Sequence, residues 1–111
     1  MPETADLRQD LEAAQDRFEQ YRISVSTAFE DRPAGELARA LEAVLPDLAF
    51  HEGQAYAATV ALDRLDAGAD QAAVAQTLDL VLIEQQAARR SADFLAGVAT
   101  VLARARRDGA A

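Results

Sequence analysis

The sequence predicts an all-α chain of three long, antiparallel amphipathic helices, completed as a dimeric helical bundle. Three observations carry that expectation. Apolar residues recur in alternating steps of four and three over most of the 111 residues, Pro and Gly concentrate in two short breaks, and no two segments share the alternation that paired strands need.

The first segment sets Leu7, Leu11, Ala14, Phe18, Tyr21, Val25 and Ala28 on one face, which predicts a helix over about 4–30 with Thr4 as N-cap and Asp6 in the first turn. Tyr21, Ile23, Val25, Thr27 and Phe29 also alternate with period two, so 21–29 read alone would suit a strand. A lone strand leaves its backbone unpaired, and helix is therefore the expectation. Asp31-Arg32-Pro33-Ala34-Gly35 is the first break, with a second helix expected over 33–66 because Pro suits a first helical turn. Its seam reads Leu37, Leu41, Val44, Leu48, His51, Ala55, Ala58, Leu62 and Leu65, in phase across Pro46, which predicts a kink there without a break. Gly53 adds a second soft point.

Ala67-Gly68-Ala69-Asp70 supplies a Gly C-cap and then an Asp N-cap, and a third helix is expected over 71–107. One seam of it runs through Val74, Leu78, Val81, Gln85, Ala88, Ala92, Leu95, Ala99 and Leu102. A second row holds Leu80, Ile83, Ala87, Phe94, Val98 and Val101. Two apolar rows imply two covered sides, and a helix of this length outruns the other two, so part of it is expected to pack against another copy. Ser91 would cap a fresh helix if the chain broke at Arg89–Arg90. The whole of 1–111 reads as one helical-bundle domain.

Composition bounds the function. Apolar residues make up 50% of the chain but aromatics only 5%, with no Trp, so a monomer has a thin core and self-association is the natural way to complete it. The net charge of −8 argues against nucleic acid or an anionic membrane as partner. Charge is uneven, since 89–111 carries Arg89, Arg90, Arg104, Arg106 and Arg107 against Asp93 and Asp108. Cations near a helix C-terminus oppose the negative end of its dipole, and the same cluster would also suit an acidic partner. No Cys is present, which removes thiol chemistry. No apolar run reaches the ~20 residues of a membrane span, and the acidic start MPETADLRQD is unlike a basic-then-apolar leader, so a cytoplasmic location is expected.

His51, the sole His, lies in phase with the seam of the second helix, in a layer expected to hold Gln15 or Phe18 and Gln85, Gln86 or Arg89. A buried His bonded to Gln85 or a carboxylate, fixing helix register, is the structural expectation. The functional alternative is a His51-centred site. Glu52 and Glu84 could join His51 as N and O metal ligands, although no Glu stands three residues before the His as in di-iron bundles, and no cofactor is expected. The run Leu48-Ala49-Phe50-His51-Glu52-Gly53-Gln54-Ala55, followed by a further helix, is loosely similar in layout to histidine phosphotransfer domains. That family has Lys and then Gly three and four residues after the His, where Gln54 and Ala55 stand here.

The chain has no Gly-rich phosphate loop, HExxH or Ser-His-Asp pattern. Carboxylate pairs such as Glu30–Asp31 and Asp63–Asp66 fall at helix ends, where solvated caps are expected. Ser24, Ser26 and Thr27 are expected to face outward or bond to the preceding turn. Phe50, Tyr56, Leu80, Ile83, Phe94, Val98 and Val101 are the positions expected at an interface between copies. The functional expectation is a non-enzymatic protein-interaction module, an adaptor, small chaperone-like subunit or regulator, that acts as a homodimer.

Overall fold

A computed structural model describes residues 2–30 and 32–109, with the side chains of 4–30 and 32–107. The described residues form four helices and no strand: α1 (Pro2–Phe29), α2 (Leu37–Asp66), α3 (Gln71–Ala87) and α4 (Ala92–Gly109). The all-α expectation holds, and residues 21–29 are helical. The predicted third helix is two helices. Among the described residues no helix is long and apolar enough to cross a membrane.

The break between α3 and α4 has a local cause. Ala88 ends α3, Arg89 takes a left-handed conformation with φ 59°, and two bonds close the end: Arg89 N to Gln86 O at 3.0 Å and Arg90 N to Gln85 O at 3.2 Å. That paired 5→2 and 6→1 pattern is a Schellman motif, usually built on Gly. Ser91 then accepts from Phe94 N at 3.2 Å and starts α4, with Asp93 in its first turn. The α2–α3 corner uses the same device with its customary residue. Gly68 has φ 93°, Gly68 N bonds Leu65 O and Ala69 N bonds Arg64 O, both at 3.0 Å. Asp70 Oδ1 caps α3 by accepting from Ala73 N at 2.8 Å.

Two further boundaries move. α1 begins at Pro2, so Thr4 lies within its first turn and does not precede it. α2 begins at Leu37, because Gly35 at φ 94° turns the chain after Pro33 and the bond from Glu36 N to Pro33 O closes that turn. Pro46 sits inside α2, which runs on past it. Asp31, half of one expected carboxylate pair, lies outside the described residues.

Helix lengths set the shape. α1 and α2, at 28 and 30 residues, form an antiparallel hairpin, while α3 and α4, at 17 and 18, cover only the end nearest the α2–α3 corner. The core therefore occupies one end: Leu7, Leu11 and Ala14 from α1, Ala57, Ala58, Ala61, Leu62 and Leu65 from α2, Val74, Leu78 and Val81 from α3, and Phe94, Val98, Val101, Leu102 and Ala105 from α4. Gln71, also buried, donates to Ala105 O at 2.8 Å and ties the start of α3 to the end of α4. From residue 15 to residue 52 no described residue is fully buried. This stretch is a two-helix arm. It explains a radius of gyration of 15.8 Å and a longest dimension of 51 Å, where a compact chain of this length would have a radius near 13 Å.

The tightest packing joins α2 and α4 at two glycines. A Cβ placed on Gly53 would stand 2.1 Å from Phe94 O, and one on Gly97 would stand 2.1 Å from Phe50 O. The two backbones touch there, which brings Ala57, Ala58 and Ala61 into full burial and lets so Ala-rich a chain form a core.

Candidate functional site

The arm is the part of the molecule that its own fold leaves incomplete. Along α2 from 37 to 51, Ala40, Val44, Leu48 and His51 are half-buried at the helical spacing that faces one neighbour, and that neighbour is α1. A second row on the same helix, Leu37, Leu41 and Leu45, is 43%, 39% and 46% exposed. The two rows are offset by three residues, about 60° around a helix of 3.6 residues per turn. A helix in a four-helix bundle has two neighbours on adjacent sides. Here one side is taken by α1 and the other faces solvent. Leu37 and Leu41 thus correct the expectation of a continuous buried seam, because α3 and α4 are too short to reach them.

His51 sits at the base of the arm. Its ring stands 4.9 Å from that of Tyr21 and 5.7 Å, edge on, from that of Phe50. Its Nδ1 is buried and bonded to none of the described residues, so neither Gln85 nor a carboxylate plays the part expected of it. The reason is topological: the chain turns at Arg89–Arg90, and α4 lies against this part of α2 at Phe50 and Gly53. Gln15 bonds Thr59 Oγ1 at 2.9 Å instead. Burial, and next the charge of Asp47, push the Tyr21 hydroxyl above its ordinary value, which keeps it protonated well past neutrality.

The acids proposed beside His51 have other roles. Glu52 pairs with Arg90 at 2.8 Å, and the Arg90 guanidinium lies 3.8 Å from the centre of the Phe94 ring, so this trio fastens α2 to the α3–α4 corner. Glu84 is exposed. Among the described residues no group of three or more His, Asp or Glu side chains is placed to hold a metal.

Of the seven expected interface positions, Phe94, Val98 and Val101 are 2%, 0% and 5% exposed inside the chain's own core, and cannot meet a partner in this fold. α4 turns them inward by packing on α2. Phe50 is half-buried, and Tyr56 stays 41% exposed while its ring stands 5.9 Å from that of Phe94. Leu80 and Ile83, one turn apart on α3, are 61% and 58% exposed. The Arg cluster is partly consumed by acids of other helices: Arg104 pairs with Asp10, and Arg106 with Asp79 at 2.7 Å. Thr27 Oγ1 donates to Ile23 O at 3.0 Å, the bond to the preceding turn expected of it.

Arm and body together define a helical hairpin clamped at one end by a shorter hairpin. Compared with known proteins, the chain matches no family model, no curated protein and no solved structure.

Proposed function

We propose that the chain is a non-enzymatic interaction module that works as a homodimer, with the α2 side of the arm as the contact between copies. The observation that carries this reading is the vacant row Leu37, Leu41, Leu45 beside the occupied one. A second copy of α2, related by a two-fold axis, would supply the missing neighbour, and the same leucines would serve on both sides, as an isologous contact requires.

Magnitude favours a reversible dimer. Burying the exposed part of each leucine is worth about 1 kcal/mol, so the six leucines of a pair contribute roughly 6 kcal/mol. Association costs at least about 4 kcal/mol in lost freedom, so the leucines alone leave about 2 kcal/mol, and a micromolar dimer, which needs about 8 kcal/mol, requires the neighbouring side chains to contribute about as much as the leucines do. The finer role, adaptor, chaperone-like subunit or regulator, follows from what the exposed Leu80 and Ile83 on α3 then meet.

Native mass spectrometry and light scattering across about 1–200 µM test the reading, with Leu41→Glu/Leu45→Glu as the variant. Concentration-dependent dimer in the wild type, and monomer with unchanged helical content in the variant, are the expected results. A wild type that stays monomeric throughout that range, or a variant that dimerises equally well, overturns it.

A further inference from the structure

α4 and α1 each pack on α2 but meet one another only loosely, and a groove opens between them. It holds about 430 Å³, and its lining includes the apolar Leu11, Ala14 and Val101 and the cationic Arg17, Arg104 and Arg107. That volume is in the range of small-molecule sites, roughly 300–1,000 Å³.

Two features separate this groove from an ordinary crease between helices. Gln54 lines it while only 9% exposed, and its side-chain amide makes no hydrogen bond with any described residue. The amide is not sealed in the core; it stays open to the groove, within reach of a ligand atom. The second feature is charge. Arg17 and Arg107 form no ion pair with a described residue, and Asp10, the one acid among the described residues of the lining, is bonded to Arg104. Among the described residues of the lining, Arg17 and Arg107 are the guanidinium groups left over once Arg104 is paired, a cationic lining on a chain whose net charge is −8. The negative end of the α4 dipole, about half a charge, opposes an anion here, and two unpaired arginines outweigh it.

We propose that this groove is a binding site for a small organic anion. Its phosphate or carboxylate head is held by Arg17 and Arg107, a polar group of the ligand meets the Gln54 amide, and its apolar part lies on Leu11 and Val101. Arginine suits the head group because its planar fork binds two oxygens at once. The site is independent of the arm, and dimerisation neither creates nor covers it in this reading.

The test uses phenyl phosphate, benzoate and inorganic phosphate as probes, followed by ¹H–¹⁵N NMR of the full chain, in which the Gln54 side-chain amide reports directly. Saturable shifts of that amide with phenyl phosphate or benzoate are expected, and the stronger of the two identifies the head group. Arg17→Gln and Arg107→Gln should each weaken binding about tenfold, as losing a charge-assisted bond does. Arg39→Gln, on the arm, should leave it unchanged. Asp10→Asn should tighten it, since it removes the acid competing for the groove. An unmoved Gln54 amide at about 10 mM probe, far above the range of a working site, overturns the proposal. So does binding that is indifferent to Arg17 and Arg107, or inorganic phosphate binding as tightly as phenyl phosphate, which would show an anion on a charged surface with no use of the apolar lining.

Discussion

Replacing Gly97 by Ala tests the central packing claim with a single methyl group. In an exposed helix the change stabilises, because Ala is better than Gly by about 1 kcal/mol per interior position. Here the new Cβ would stand 2.1 Å from Phe50 O and 2.8 Å from Gln54 N, whereas ordinary contact begins at 3.4 Å. The obstructing atoms are backbone, so no side chain can swing aside, and α2 and α4 must part by about 1.3 Å to restore ordinary contact, the distance at which dispersion between facing groups has largely lapsed. Separation at that point loosens Ala57, Ala58, Ala61 and Val98, all fully buried. Overpacking of this kind costs about 1–3 kcal/mol, and a rigid obstacle puts it at the upper end. Against the propensity gain, the net loss is about 2 kcal/mol, or roughly 10 °C in Tm for a chain of this size. Gly53→Ala, whose Cβ would stand 2.1 Å from Phe94 O, should behave alike. The double variant should lose less than the two singles combined, since the first methyl has already moved the helices. Thermal and urea unfolding followed by circular dichroism measure all three. A Tm equal to or above that of the wild type in both single variants would refute the backbone contact.

Arg89→Gly should stabilise the chain by about 1 kcal/mol in urea unfolding, because a non-Gly residue at φ 59° carries strain that Gly avoids. Loss of stability there would show that the Arg89 side chain contributes more than the strain costs. Asp70→Ala should remove about 1 kcal/mol by leaving Ala73 N without its cap, with Asp70→Asn recovering most of it. Tyr21 gives a pH dependence of known sign. Its folded-state value is raised, so its contribution is complete below the unfolded value near 10 and is lost as pH rises past that point; Tyr21→Phe should flatten the alkaline limb of a stability-against-pH curve, and an unchanged limb would assign the loss to other groups.

What the sequence disclosed was local. The four-and-three spacing found every helical stretch, and side-chain chemistry found the caps at Asp70 and Gly68 and the cap that Ser91 would form. Arg89 concealed the α3–α4 break, because the left-handed residue that ends α3 is one whose identity gives no hint of it. With a break at Arg89–Arg90 held only as the alternative to one long helix, Phe94, Val98 and Val101 looked like its outer row, and a turn in the chain makes them core. Gly53 read as a weak point in a helix, yet it is a contact point. Spacing alone cannot tell a flexible Gly from a close approach, since the difference lies on the partner helix, at Gly97. Which leucines stay exposed was equally hidden, because the periodicity of Leu37 and Leu41 matches that of Leu62 and Leu65. Only the finite length of α3 and α4 distinguishes them.

The concentration of burial at one end has a consequence for motion. Amide exchange should divide the molecule near residue 52, slow where all four helices meet and fast along the outer turns, since half-covered helices open without unfolding the rest. A partner seated on the arm would then slow exchange far from the body, in residues that contribute little to the stability of the isolated chain. Substitutions there should leave the melting of the body nearly as it was, and under the proposed dimer they would alter association alone, which would put folding and association in separate stretches of sequence.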